Sequence, residues 1–443
     1  MTSKTQKINN PLSVHVMAKP SGAICNISCE YCFYLEKEKL YPSVSKSKWK
    51  MSDEVLENYV KQYIEAQKVP VVNFAWQGGE PTLLGIDFYK KAVKLQKFYA
   101  KGKTITNAFQ TNAILIDDKW AEFLKQENFL VGVSIDGPQK LHDRYRVDRG
   151  NNPTFEKVIK GLDSIKKFNV EFNTLTVLHR HNADYPEEIY KFLTEDLDSN
   201  FMQFIPIVER VSRIERDDKL ALVDPDHEEA DLTDWSVGSE QYGRFLAKIF
   251  DIWVKKDVGK RFVQIFDTTL ASWVGNHPGL CIFAETCGDA MIIEHNGDVY
   301  SCDHFVYPDY KLGNVKNKSI RDMTDSPEQR KFGMDKKNTL PKYCRECEFK
   351  FACNGGCPKQ RFITTPDGEP GLNYLCKGYK VFFGHTAPYM KFMANELKNA
   401  RPPSNIMIKA RNISTSNDMY SGAKRNKPCP CGSEKKYKFC HGA

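Results

Sequence analysis

Fourteen cysteines fall into three groups along this chain of 443 residues, spanning positions 25–32, 281–376 and 429–440. The N-terminus reads MTSKTQKINN and lacks the apolar stretch of a secretory signal. No segment approaches the roughly 18 apolar residues of a membrane-spanning helix. We therefore expect a cytoplasmic protein. In that compartment thiols stay reduced, and clustered cysteines bind metal rather than form disulfides.

The formal net charge is +8, but basic residues are dense only in the C-terminal tail. Such a run is typical of a solvated face or an extended arm, so nucleic acid is not an expected partner. The basic residues of the tail are Lys424, Arg425, Lys427, Lys435, Lys436 and Lys438.

The first half of the chain alternates short apolar strands with amphipathic helices. Six β/α units in series predict a parallel sheet, open or barrel-like, with functional loops at the carboxyl ends of the strands. The predicted strands span 12–17, 71–76, 105–110, 129–135, 171–177 and 201–207. The predicted helices span 53–64 (capped by Ser52), 88–99, 118–126, 155–168 and 187–193.

The second half has a different pattern. Residues 211–238 are predicted to be loop, 242–254 a bridging helix, 389–397 a closing helix and 400–427 a polar linker. From residue 279, short strands, glycines and cysteines indicate a small domain held by metal. The predicted division is a core at 10–240, a bridging region at 241–278, a metal-bearing domain at 279–385, a helix and linker at 386–423, and a terminal motif at 424–443.

Cys25, Cys29 and Cys32 lie just after the first predicted strand. Three thiolates at this spacing can hold three irons of a [4Fe–4S] cluster and leave the fourth iron without a protein ligand. An open iron can chelate the amino and carboxylate groups of a cofactor and pass it an electron. The alternatives are unrelated buried cysteines or a zinc site, which would need a fourth ligand that is not evident nearby.

Residues 25–32 read CNISCEYC and resemble the signature of the radical S-adenosylmethionine superfamily. Residues 77–81 read QGGEP and form a second match, at a place where glycines let the backbone approach a ligand closely. The resemblance implies that this second segment meets the amino group of the cofactor, whereas an ordinary turn is the alternative. The cofactor contacts implied here are Tyr31, Gln77, Gly78, Gly79 and Glu80.

Three further positions match the same superfamily. The resemblance implies that Ser134 and Arg146 hold the cofactor and that the backbone around Ile207 touches its adenine. From the residues alone, Arg146 could instead pair with Asp143 or Asp148 at the surface. Ile207 could equally be an ordinary core residue.

Eight cysteines lie between residues 281 and 376, the number that fully ligates two [4Fe–4S] clusters. Their pattern resembles the SPASM extension of peptide-modifying radical enzymes and, more closely, the anaerobic sulfatase-maturating enzymes, over about residues 10–385. A zinc ribbon built from the four cysteines between 344 and 357 is the alternative, but it leaves the other four cysteines unused. Spacing alone does not divide the eight; the resemblance implies one set of Cys281, Cys287, Cys302 and Cys357 and another of Cys344, Cys347, Cys353 and Cys376.

Asp303 follows Cys302 directly. A carboxylate beside a cluster ligand would lie close to where a substrate meets an auxiliary cluster, and in the resembling family an Asp at this place is the proposed base. Burial near apolar groups would raise the pKa of Asp303 toward a useful range. The alternative is a turn-forming Asp, since residues 296–298 show that this stretch contains turns.

The tail carries Cys429, Cys431, Cys440 and His441, a complete tetrahedral set for zinc. It resembles the SEC-C motif, which is usually an interaction appendage. We therefore expect Zn²⁺ at the tail.

Taken together, the resemblances imply a partial (β/α)6 radical SAM barrel, a SPASM domain and a zinc-binding tail. They imply three [4Fe–4S] clusters, S-adenosylmethionine, and a low-potential electron donor such as flavodoxin or ferredoxin. The implied reaction is oxidation of the Cys or Ser of a Cys/Ser-x-Pro-x-Arg segment in a sulfatase to Cα-formylglycine. Two alternatives to this function remain. One is a maturase that forms thioether or carbon–carbon links in a ribosomal peptide. The other is a non-catalytic protein, either an iron–sulfur protein that transfers electrons or an interaction protein held together by zinc.

Overall fold

The computed structural model describes residues 13–41, 49–213, 221–227, 229–415, 425–428 and 436–439. Within these ranges, no helix combines the length and the apolar character that a bilayer crossing requires.

A ten-stranded sheet runs through the molecule in the order β12-β11-β10-β1-β2-β3-β4-β5-β6-β9. Six consecutive parallel strands form its centre, as the alternating pattern predicts, and the sheet stays open at both edges. These six are β1 His15–Lys19, β2 Val71–Trp76, β3 Thr104–Thr111, β4 Phe129–Ser134, β5 Phe172–Leu178 and β6 Phe201–Pro206. The other four strands of this sheet are β9 Phe262–Val263, β10 Ala290–Glu294, β11 Asp298–Tyr300 and β12 Lys311–Asn314. A separate two-stranded sheet consists of β7 Arg210–Ser212 and β8 Ala230–Leu232.

Helices cover the outer face of the central strands. The first is capped as predicted, because the Ser52 hydroxyl accepts a hydrogen bond from the backbone N–H of Val55 at 3.3 Å. Its buried Tyr59 packs edge-on against Trp76 of β2, so the helix stripe and the strand face share one core. The helices are α1 Asp53–Ala66, α2 Ile86–Tyr99, α3 Asp118–Gln126, α4 Gln139–His142, α5 Phe155–Lys167, α6 Pro186–Lys191, α7 Ser239–Lys256, α8 Gln264–Val274, α9 Ile320–Thr324, α10 Pro327–Asn338, α11 Lys342–Arg345, α12 Lys350–Cys353, α13 Cys376–Lys398 and α14 Ile406–Thr415.

Three sequence-based boundaries are wrong. α13 begins at Cys376 rather than at residue 389, since it continues through Pro388, which the sequence pattern suggests as a helix boundary. The predicted linker at 400–427 contains α14, whose buried Ile406 and Ala410 pack one turn apart against α7. The predicted loop at 211–238 contains the β7–β8 hairpin.

The cysteine-rich second half continues the sheet of the first half. β10 pairs in parallel with β1, and their last residues, Glu294 and Lys19, are register partners. The antiparallel strands β11 and β12 then extend the sheet beyond β10. Because β1 and β10 end side by side, the loop after each strand opens at the same edge of the sheet.

Candidate active site

The carboxyl ends of the parallel strands gather the predicted site residues at one edge of the sheet. The cysteine triad follows β1, residues 77–81 follow β2, and Ser134 ends β4. Ile207 follows β6. Asp303 follows the antiparallel strand β11 and joins this group through its contact with Lys19, the last residue of β1. This is the edge at which functional loops of parallel β/α proteins gather.

The triad loop is fixed along its length by the segment that carries Arg146. The backbone N–H of Ser28 donates to the carbonyl of Val147 at 2.8 Å, and the Arg149 side chain donates to the carbonyl of Cys25 at 3.1 Å. Burial raises the pKa of each triad thiol, that of Cys25 to about 12. Metal binding must therefore displace protons from all three thiols.

Two glycines allow the segment at 77–81 to press against the triad loop. The N–H of Gly79 donates to the carbonyl of Gly22 at 2.8 Å, and a Cβ on Gly79 would lie 2.1 Å from the carbonyl oxygen of Ile24. Gly78 has a φ of +138°, which L side chains rarely adopt, and a Cβ there would meet the Ser21 hydroxyl at 2.9 Å. Both positions require glycine.

Glu80 is buried beneath this contact, and its carboxylate has four donors. It accepts hydrogen bonds from the backbone N–H groups of Thr82 and Asn112 and from the hydroxyl groups of Thr82 and Thr111, at 2.6–3.0 Å. Asn112 in turn donates to Asn26, next to the first cysteine of the triad, at 2.7 Å. The carboxylate of Glu80 thus positions the backbone around the triad.

Arg146 forms a buried ion pair with Asp136, a residue that sequence reasoning missed. The guanidinium donates twice to the Asp136 carboxylate, at 2.8 and 3.1 Å, and the Tyr31 hydroxyl donates to the same carboxylate at 2.5 Å. Burial by itself raises the pKa of Asp136, but Arg146 outweighs it and holds this pKa below the ordinary value. The alternative surface pairs of Arg146 do not form: Asp143 accepts from the backbone of α5, and Asp148 accepts from its own loop.

The remaining predicted cofactor contacts lie around this pair. Ser134 is buried at the end of β4. Gln77 bridges the strand ends, accepting from Lys19 at 2.8 Å and donating to Gln110 at 2.6 Å. Ile207 belongs to a small apolar cluster that includes Cys25, Cys29 and Tyr31, so it borders the triad rather than the main core.

Asp303 pairs with Lys19, the last residue of β1. Their side chains meet at 2.6 Å, with Lys19 only 2% exposed and Asp303 21% exposed. Burial raises the pKa of Asp303, but Lys19 more than offsets it, so the pKa lies below the ordinary value. The expected upward shift is therefore wrong, because the residues around Asp303 include a cation as well as apolar groups. Asp303 is an ionised, partly open carboxylate.

The eight later cysteines form two groups of four in space. Electrostatic interactions link the thiols of each group to one another. One group is Cys281, Cys287, Cys302 and Cys357, and the other is Cys344, Cys347, Cys353 and Cys376.

The second group lines one pocket, beside Tyr379 and Phe383. Four thiols around one pocket suit a multi-iron cluster. In the whole of the described ranges, no three His, Cys, Asp or Glu side chains lie close enough together to hold a single metal ion. The zinc-ribbon set is not assembled, since Cys357 interacts with Cys281 and Cys287 of the other group.

Two cations that sequence reasoning missed lie beside these groups. Arg361 donates to four backbone carbonyl oxygens, including those of Gly355 and Lys336, and interacts with cysteines of both groups. The ammonium of Lys336 donates to the carbonyls of Cys281 and Ile282. Positive charge and hydrogen bonding at such places stabilise thiolates and tune cluster potentials. The predicted zinc ligands Cys429, Cys431, Cys440 and His441 lie outside the described residues.

Three family models match the chain. Residues 20–193 match the radical SAM superfamily, residues 281–348 an iron–sulfur cluster-binding domain named SPASM, and residues 425–443 the SEC-C motif. A serine-type anaerobic sulfatase-maturating enzyme of Bacteroides thetaiotaomicron is 52% identical over 89% of this chain and 94% of its own length. The chain belongs to this family of maturating enzymes.

Further relatives agree with this assignment. A cysteine-type enzyme of Clostridium perfringens is 34% identical over 88% of this chain and 100% of its own. A solved structure described as native anSMEcpe with bound AdoMet and Cp18Cys peptide matches with a TM-score of 0.74, at 32% identity, over 86% of this chain and 99% of that one. The protein is thus a radical SAM enzyme, and its domains imply iron–sulfur clusters and S-adenosylmethionine as cofactors.

Proposed function

We propose that this protein oxidises a serine or cysteine side chain of a sulfatase polypeptide to Cα-formylglycine. The observation that carries the proposal is the partly open Asp303 carboxylate, which lies next to Cys302 and is paired with Lys19 at the end of β1. It is a proton acceptor at the junction between the triad loop and the cysteine-rich half of the chain.

The triad and the two spatial groups of four cysteines are the proposed ligands of three [4Fe–4S] clusters. The triad would hold one cluster with an open iron, and each spatial group of four would ligate one closed cluster. The donor sets fit, since three thiols leave one iron without a protein ligand and four thiols around one pocket leave none. The residues proposed to contact or support S-adenosylmethionine are Gln77, the backbone of 78–80, Ser134, Arg146, Tyr31 and the backbone at Ile207.

When bound, the clusters and S-adenosylmethionine would supply a 5′-deoxyadenosyl radical that takes one hydrogen atom from Cβ, and an acceptor for one electron. Oxidation of a serine side chain to an aldehyde also releases the hydroxyl proton. Asp303 is proposed to take this proton, because Lys19 keeps its carboxylate ionised and 21% of the side chain remains accessible. With a cysteine, the thioaldehyde is then hydrolysed to the same product.

The chain's own residues also keep the site ordered. The Arg146–Asp136 pair and the Tyr31 hydroxyl fix the triad loop against β4, and Glu80 fixes the backbone after β2. The cofactors carry the radical chemistry, while the protein supplies orientation and exclusion of water.

We further propose serine as the preferred target, since the relative with 52% identity is of the serine type. Flavodoxin or ferredoxin is the proposed electron donor. Zn²⁺ at the tail is proposed from the residues 425–443 that match the SEC-C motif.

The test is anaerobic turnover of paired Ser-x-Pro-x-Arg and Cys-x-Pro-x-Arg peptides, followed by mass spectrometry. We expect an aldehyde from both, with the serine peptide converted faster. A peptide that gains a thioether or carbon–carbon link would support the cross-linking rival. Absence of 5′-deoxyadenosine with reductant and S-adenosylmethionine would exclude every radical reaction.

A further inference from the structure

A second cluster of buried charges lies beside the proposed site, and the chemistry described above does not use it. It consists of Lys37, Lys359 and Glu209, which are 2%, 6% and 3% exposed. They come from three separate segments: the 3₁₀ turn Leu35–Leu40, the turn Pro358–Gln360 after Cys357, and the chain just after β6.

Two atoms of this cluster have no partner. Glu209 Oε1 accepts from the Lys359 ammonium at 2.6 Å, whereas Glu209 Oε2 and Lys37 Nζ have no hydrogen-bond partner in the part of the chain that the structure describes. The Lys37 ammonium lies over the ring of Tyr307, 3.6 Å from its centroid, and interacts electrostatically with Glu209, Glu36 and Asp224. A buried polar atom without a hydrogen-bond partner is costly, so two of them in one cluster of charges indicate a missing ligand.

Contacts connect this cluster to the proposed base. Lys359 lies over the ring of Phe33, the residue after Cys32, at 4.6 Å, and Phe33 packs edge-on against His304. His304 follows Asp303 and lies 3.6 Å from the Cys357 thiol. Through Lys359, the cluster therefore borders both the triad loop and the group that contains Cys302, next to the place where the proposed reaction requires the substrate.

The charges select the kind of ligand. Two buried ammonium groups disfavour a guanidinium or another amine, and a free carboxylate would satisfy Lys37 but be repelled by Glu209. An extended peptide segment satisfies both, because the carbonyl and the N–H of one of its residues point to the same side. The main chain is also the part that different sulfatase segments share at every position.

We propose that Lys37 and Glu209 bind the main chain of the substrate polypeptide. Lys37 Nζ donates to a substrate carbonyl oxygen, and Glu209 Oε2 accepts from a substrate N–H. Lys359 positions Glu209 through their ion pair. This assignment rests on the proposed function, and it adds two substrate-binding residues to the proposed base.

The experiment compares the reconstituted wild-type enzyme with Lys37→Met and Glu209→Gln on a serine target peptide. Each variant should raise KM by roughly tenfold or more, the usual cost of a lost hydrogen bond to a charged group, with little change in kcat. Cleavage of S-adenosylmethionine without peptide should remain at the wild-type rate. Matched controls are Lys103→Met and Glu396→Gln, which alter a half-buried Lys and a buried Glu away from the carboxyl ends of the strands.

A series of peptides in which one amide at a time becomes an ester tests the contact directly. One ester position should raise KM with wild-type enzyme and have no further effect with Glu209→Gln. The wild-type arm needs no variant to fold, and the absence of any sensitive position would overturn the proposal. KM values of the variants equal to those of the controls would also overturn it.

The two levels of inference fail differently. Wild-type enzyme that yields no aldehyde would refute the proposed function. Normal aldehyde formation with unchanged KM in both variants would refute only the role of Lys37 and Glu209.

Discussion

Two ion pairs lie at the carboxyl ends of the strands, and they differ in how completely they are satisfied. Asp136 is fully buried and accepts from Arg146, from the Tyr31 hydroxyl and from the backbone N–H of Val177. Asp303 has its contact with Lys19 and keeps 21% of its side chain accessible. In both pairs the cation lowers the pKa of the carboxyl group.

The contrast separates a structural carboxylate from a reactive one. Asp136 has no accessible oxygen left for a substrate, so its hydrogen bonds serve to stabilise the position of the triad loop. Asp303 is ionised and can still be reached. Electrostatics alone does not distinguish the two residues; the number of donors and the exposure do.

The largest expected effect concerns Asp303. Asp303→Asn removes the proton acceptor and should lower formylglycine formation by about 10²–10⁴-fold, the usual contribution of a general base. Cleavage of S-adenosylmethionine should persist, because the triad is unchanged. Product is quantified by mass spectrometry, with Asp289→Asn, at an exposed residue of the same half of the chain, as control. Full product yield would remove Asp303 from the mechanism.

Asp136→Asn tests the structural member of the comparison. It leaves Arg146 as an uncompensated buried cation, so the free energy of unfolding should fall by roughly 3–5 kcal/mol. Urea denaturation monitored by circular dichroism measures this change. Asp118→Asn, which breaks an exposed pair with Lys167, should change it little. Equal effects of the two substitutions would contradict the structural role of Asp136.

A smaller effect is expected on the pH dependence of the free energy of unfolding, through His142, which accepts a hydrogen bond from the backbone N–H of Asp136. His142 is buried against Thr154, and burial lowers its pKa to about 3 from an ordinary 6.5. Between these values the unfolded chain binds a proton that the folded chain does not. The folded state therefore loses up to about 1.4 kcal/mol per pH unit as pH falls below 6.5.

His142→Gln should remove that part of the pH dependence. Urea midpoints of wild type and variant, compared at pH 7.5 and 5.5, measure it, and His179, which is also buried, contributes equally to both proteins. His277→Gln, at an exposed position, is the control. Parallel pH profiles for wild type and His142→Gln would show that His142 does not carry the effect.

The smallest effect is expected at the C-terminus. Removal of the residues after Thr415 should leave turnover of a short peptide unchanged, because every residue assigned to the proposed site precedes residue 377. Removal of the residues after Pro403 also deletes α14, whose Ile406 is fully buried, and should lower the free energy of unfolding by roughly 2–4 kcal/mol. Lost peptide turnover in the shorter deletion would make the tail part of the catalytic unit.

The sequence predicts the repeating parts of the molecule well. β2 and α3 have the predicted bounds, because an apolar run and a capped amphipathic stripe are local signals. The sequence does not predict α14, because Ile406 and Ala410 are the only buried residues among those of its side chains that the structure describes, and such a pattern resembles a polar linker. Pro388 interrupts the pattern of α13, although the helix continues through it.

The sequence predicts the parts of the site that lie in one continuous segment, and it does not predict the parts that are brought together from distant segments. The triad and the 77–81 segment are continuous motifs. Lys19, Glu209 and Lys359 carry no motif, and each matters only through a residue distant in sequence. The pairing of β1 with β10 brings Lys19 to Asp303, and no periodicity near either residue indicates it.

That same pairing has a consequence for biogenesis. His15 leaves the ribosome early, while Ala290, its partner across the sheet, is made much later. At roughly 5–20 residues per second, one edge of β1 waits tens of seconds for its neighbour. During this interval the nascent barrel presents an unpaired parallel strand, the kind of edge that invites association with other chains. We expect the interval to be protected by chaperones, and cluster insertion at Cys302 to follow the arrival of β10 rather than precede it.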